Sequence, residues 1–226
     1  MKIDAKYIYS LFVIVAITFQ SCSSDTSNGH QKTLPHLGFR DIELNEVNGT
    51  LTADTIYHTI GNFYFTSHLG TPINNETVEG KIYVVDFFFS HCPSICPIMT
   101  ENLKRFHNST KDIEELIILS HTIDPERDTL ERLNEYIKLH QIETRDNWFF
   151  LRGSSEYTYD IGKDEYLINA DIDREAEGGF LHSEHFVLID RLGHIRGMYE
   201  GTDTAAVNQL EEDIRLLLST EYASKK

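Results

Sequence analysis

Residues 81–89, KIYVVDFFF, constrain this chain more than any other stretch. The run is β-branched and aromatic with almost no alternation of polar and apolar positions. Such a run suits a strand buried on both faces, at the centre of a sheet covered by helices. Ser90-His91-Cys92-Pro93-Ser94-Ile95-Cys96-Pro97 follows at once. A helix is expected to begin here, with Pro93 tolerated in its first turn. Pro97 predicts a kink or a tightened first turn. Ile98, Met99, Leu103 and Phe106 then recur at helical spacing.

The rest of the chain fits around that strand. Residues 115–120 and 148–151 read as two further strands. Asp128 or Thr129 can cap a helix running to Leu139, with Leu130, Leu133, Tyr136 and Ile137 as its apolar stripe. Residues 154–161 suit a short helix. Residues 186–189 and 195–199 predict a hairpin turning at Arg191-Leu192-Gly193, and residues 207–218 a closing amphipathic helix. Upstream, residues 55–66 hold two short β-type runs around Gly61-Asn62. The expected order is β-β-β-α-β-α-β-α-β-β-α. It predicts an α/β three-layer sandwich with a central mixed sheet and an N-terminal β-hairpin extension. This order resembles a thioredoxin-like fold, whose active cysteines lie between the first core strand and its helix.

The chain has 226 residues, enough for one ordinary domain plus a leader. Its formal net charge of -16 would repel phosphate backbones and argues against nucleic acid as a partner. Lys2 and Lys6 precede an apolar stretch from residue 7 to 19, and Gln20-Ser21-Cys22 closes it. This layout predicts a signal peptide over 1–21, too short for a transmembrane helix, with Cys22 as the lipid-bearing residue of a lipoprotein. Residues 22–50 are expected to form a tether and residues 51–220 the folded domain. The domain is then extracytoplasmic and anchored to a membrane through lipid.

Three cysteines are too few for a disulfide scaffold. Cys92 and Cys96 are four positions apart, so on a helix both sulfurs face one spot. A helix N-terminus favours thiolate over thiol. Thiolate both ligates soft metals and attacks disulfides, so metal binding and thiol–disulfide exchange follow from one arrangement. A structural disulfide would close a very short loop and stabilise little. Two thiolates suit Cu(I), and an added imidazole would serve both copper oxidation states. Among the 11 histidines most are expected to be structural. His91 projects away from Cys92, His185 opens a strand and His194 sits on a hairpin turn. His182 differs. It lies in Gly-Gly-Phe-Leu-His-Ser before the residue-186 strand, in a loop that passes over the cysteines in the thioredoxin topology. Ordinary thioredoxins carry a cis-proline there; here the prolines are Pro35, Pro72, Pro93, Pro97 and Pro125, none of them in that loop.

These segments together resemble the Sco/SenC family of copper-binding assembly factors for cytochrome c oxidase. The strand leading into Cys92-Pro93-Ser94-Ile95-Cys96-Pro97 resembles the family's CxxxCP site. Thr122-Ile123-Asp124-Pro125-Glu126-Arg127-Asp128-Thr129 resembles its second signature, and His182-Ser183 its histidine loop. The resemblance spans roughly residues 55 to 218. It implies copper held by Cys92, Cys96 and His182, with Asp124 and Asp128 as candidates for the surrounding shell. A turn at Asp124-Pro125 and a helix cap at Asp128 are the simpler roles for those two. It further implies delivery of copper to the dinuclear copper centre of the oxidase. The alternative is an extracytoplasmic oxidoreductase that uses Cys92 and Cys96 as a redox pair on partner cysteines. A peroxide-reactive or redox-sensing domain is a third possibility.

Overall fold

The central sheet is organised around β5 (Ile82–Phe88), in which every residue is buried. The computed structural model describes residues 33–168 and 184–223. Seven strands lie in the order β4-β3-β7-β6-β5-β8-β9. Here β3 is Tyr64–Ser67, β4 Pro72–Asn74, β6 Leu116–Thr122 and β7 Trp148–Arg152. The last two strands are β8 (His185–Ile189) and β9 (Ile195–Glu200). β5, β6 and β7 are parallel, and β8 runs antiparallel to β5. The expected mixed sheet is therefore present.

Alternation along β5 sends its side chains to two covered faces. On one face Phe88 meets Tyr136 at a ring separation of 5.3 Å. Tyr136 belongs to α3 (Leu130–Leu139), and its hydroxyl reaches Thr100 of α2 (Ile95–Ser109) at 2.7 Å. α5 (Thr204–Thr220) packs beside α2. On the other face Phe87 stacks on His121 and meets Tyr166, just after α4 (Ser155–Asp160) and its π-helical turn Ile161–Glu165. A short α1 (Asn75–Val78), capped by Asn74, leads into β5. Helices thus cover both faces of the sheet.

Two expectations shift at the N-terminus. The hairpin is built by β1 (Arg40–Val47) and β2 (Thr50–Tyr57), not by the runs around Gly61-Asn62. Asn48 and Gly49 turn it with φ of 54° and 78°, the left-handed pair that a tight hairpin turn requires. Within the segment expected to be tether, Leu34 is buried in the core and β1 is a paired strand. Leu37 N–H also donates to the Ile195 carbonyl at 2.8 Å. The described part of that segment is held by hydrogen bonds to the domain.

Candidate functional site

Cys92 and Cys96 sit where β5 ends and α2 begins, but only Cys96 is helical. After β5 the chain turns back on itself, with Cys92 N–H donating to the Phe89 carbonyl at 3.1 Å. Ser94 is the N-cap and makes no side-chain cap bond. Cys96 is then the second helical residue, and its N–H donates to Cys92 Sγ at 3.4 Å. The sulfur thereby takes one of the four N–H groups that a helix start leaves unpaired. Pro97 is the third helical residue. Its missing N–H falls among those same four groups, so it does not interrupt the ladder. Of the two outcomes expected from Pro97, a kink or a tightened first turn, the kink has no backbone bond to break, because Pro97 lies within the first turn.

Both cysteines are buried, and no disulfide joins them. Hydrogen bonding with Cys92 pushes the Cys96 thiol well above the ordinary cysteine range, and burial adds to the push. A smaller upward contribution comes from the Asp86 carboxyl on β5. Asp86 accepts a hydrogen bond from Ser120 Oγ, which in turn accepts from Trp148 Nε1 at 2.9 Å. Burial lifts Asp86 from 3.8 to about 7. Asp86 is not among the site residues expected from the sequence; its signal there is a single carboxylate inside an otherwise apolar strand, a placement that is costly unless the group is bonded or neutral.

Asp128 is fully buried and is tied to the cysteine loop. It accepts from Ser90 N–H at 3.1 Å, from Ser90 Oγ and from Thr122 Oγ1. Arg132 Nε donates to the same Ser90 hydroxyl at 3.0 Å. Ser90 stands two residues before Cys92, so Asp128 fixes the backbone that presents the first sulfur. The cap of α3 is Thr129, which accepts from Arg132 N–H. Asp124 is different: its carboxylate pairs with Arg127, and its N–H donates to Thr122 Oγ1 at 3.1 Å. Asp128 accordingly reaches the loop and Asp124 serves the turn that follows β6. His91 Nδ1 lies 3.1 Å from Ser90 Oγ, on a half-exposed ring. His182 and Cys22 lie outside the described residues.

A mixed sheet with two covered faces and a dithiol between its central strand and the next helix defines a thioredoxin-like protein. The sequence profile of the SCO1/SenC family matches residues 52–219, and the chain belongs to that family. A curated relative, the SCO1 protein homolog of Bacillus subtilis (strain 168), is 24% identical over 172 residues, covering 74% of this chain and 86% of the relative. The mitochondrial protein SCO2 of Saccharomyces cerevisiae is 37% identical over 79 residues, 34% of this chain and 26% of that one. Among solved structures, a SCO1/SenC family lipoprotein from Bacillus anthracis str. Ames has a TM-score of 0.64 at 28% identity. That similarity covers 70% of this chain and 94% of the other. A copper-bound yeast Sco1 has a TM-score of 0.56 at 22% identity, covering 75% and 95%. Among the described residues no helix is long and apolar enough to cross a membrane.

Proposed function

We propose that this protein binds one copper ion through Cys92, Cys96 and His182 and passes it to the copper centre of cytochrome c oxidase during assembly. The observation that carries the reading is the cysteine geometry: two thiols, not joined in a disulfide, in contact at a helix start, the first accepting the N–H of the second. Soft sulfur pairs suit Cu(I), and an imidazole completes a set that also tolerates Cu(II). Family membership and the copper-bound yeast structure support copper as the metal. Copper is cargo here. A site of few ligands can exchange it with another thiolate site without leaving a saturated shell.

The chain's own residues set the terms of loading. Both sulfurs must lose protons to ligate, so uptake releases protons. The helix N-terminus and the Cys96 N–H favour charge on Cys92. Asp128, through Ser90, holds the loop in the conformation that brings the first sulfur over that N–H. The lipid anchor at Cys22 would keep the domain at the membrane surface where an oxidase assembles, in line with the lipoprotein from Bacillus anthracis.

The test is a Cu(I) and Cu(II) titration of the reduced full chain and of His182→Ala. The expected outcome is one equivalent bound, a sulfur-to-Cu(II) charge-transfer band, and loss of that band with weaker binding in the variant. Equal binding and an unchanged band in His182→Ala would remove the histidine from the site. A second reading, thiol–disulfide exchange on partner cysteines, is favoured by the same contacting thiols. It predicts reduction of a disulfide substrate by the copper-free chain, abolished in Cys92→Ser.

A further inference from the structure

The opposite end of the sheet holds a second cluster of metal-ligating groups. Asp190 follows β8, His194 precedes β9, and His36 comes from the segment before β1. One donor atom from each of the three lies within 4.8 Å of the other two. His194 Nδ1 is 3.4 Å from Asp190 Oδ2. That distance matches the ligand–ligand edge of a tetrahedron with metal bonds of about 2.1 Å. His194 Nδ1 is buried and makes no hydrogen bond among the described residues. A buried ring nitrogen that faces a carboxylate at 3.4 Å without a well-aligned hydrogen bond is under-satisfied as a structural histidine and suited to a ligand.

The surroundings prepare the cluster for a cation. Asp190 Oδ1 accepts from the N–H groups of Leu192 at 2.9 Å and His194 at 3.0 Å. These bonds fix both the carboxylate and the turn that carries the histidine, as outer-shell bonds do around metal ligands. Arg196 donates to Asp190 Oδ2 at 2.8 Å and to both oxygens of Glu221, at 2.8 and 2.6 Å. Two carboxylates against one guanidinium leave a net negative charge. Arg196 also donates to the carbonyls of Leu34 and Pro35, which seats His36 beside the turn. His36 stacks on Tyr57 with ring centroids 4.0 Å apart.

We infer that His36, Asp190 and His194 form a second metal site, for a borderline divalent ion such as Zn(II), with two nitrogens and one oxygen and room for an outside ligand. β8 runs antiparallel to β5, so Asp190 lies at the end of the sheet where β5 begins. The cysteines lie at the other end, about 20 Å away over a strand of seven residues. One ion cannot serve both sites. An ion here would pin the segment entering the domain onto the β8–β9 turn. The site is independent of the copper reading, because it shares none of its ligands.

The test uses the full chain carrying Cys92→Ser, Cys96→Ser and His182→Ala, which removes the proposed copper ligands. Zn(II) is titrated against a chromophoric chelator, and thermal unfolding is followed with and without Zn(II). The expected result is one equivalent bound and a raised midpoint. His36→Gln and His194→Gln should each weaken binding at least tenfold, while His140→Gln should not. His36→Gln alters a partly exposed side chain, so it keeps the test open if His194→Gln folds poorly. No binding by the parent, or binding equally strong in His36→Gln, would overturn the site. So would an anomalous scattering peak for Zn(II) away from Asp190.

Discussion

Asp86→Asn tests how far the sheet interior controls the cysteine pair. Asp86 is buried in β5, accepts from Ser120, and is lifted by burial from 3.8 to about 7. Between those two values the folded chain keeps a proton that the unfolded chain has released. Stability therefore falls as pH rises from about 4 to about 7 and levels off above that window. The difference between 3.8 and about 7 amounts to about 4 kcal/mol. Asparagine has nearly the same shape and cannot ionise. The variant should gain little at pH 4 and up to about 4 kcal/mol at pH 8. Loss of the Asp86 charge should also let the Cys96 thiol titrate lower. The assay is urea unfolding of the reduced, metal-free protein from pH 4 to 8.5. A stability change that is the same at every pH would refute the reasoning.

Asp128→Ala should destabilise the fold by about 3 kcal/mol, because it strands the buried Ser90 N–H and two hydroxyl donors; urea unfolding checks this. The same variant should weaken copper retention more than Asp124→Ala does, measured by competition with a copper chelator, because the Asp124 side chain pairs with Arg127 instead of the loop. Brief alkylation of the reduced protein at pH 8, read by peptide mass spectrometry, should modify Cys92 before Cys96. Cys96 is 1% exposed against 8% for Cys92, and its thiol is pushed upward.

The parts of the fold legible in the sequence are those whose pattern reflects the core. The apolar run of β5, interrupted only by Asp86, marks a doubly covered strand, and the stripe 130–137 marks a surface helix. The first hairpin was hidden for a physical reason. β1 and β2 pair with each other and leave Ile42, Leu44 and Leu51 exposed, so their residues carry no burial signal. The Asn48-Gly49 pair was the readable clue. Pro97 left a kink and a first-turn placement both open, because its cost depends on its distance from the helix start; the helix begins two residues earlier, at Ile95. At the site, the Cys92–Cys96 pairing was legible from spacing, although the sulfurs meet across a helix start and not along one helical face. Asp128 looked like a cap because capping and loop-bracing use the same residue type. The grouping of His36 with Asp190 and His194 was beyond reach. It depends on where the entering segment lies against the β8–β9 turn, and no local pattern records that.

X-ray absorption at the copper edge of the Cu(I)-loaded full chain tests the central claim most directly. The account predicts two sulfur scatterers and one nitrogen scatterer around the metal, with the nitrogen lost in His182→Ala and the sulfurs kept. A shell of nitrogen and oxygen without sulfur, or a nitrogen that persists in the variant, would contradict it.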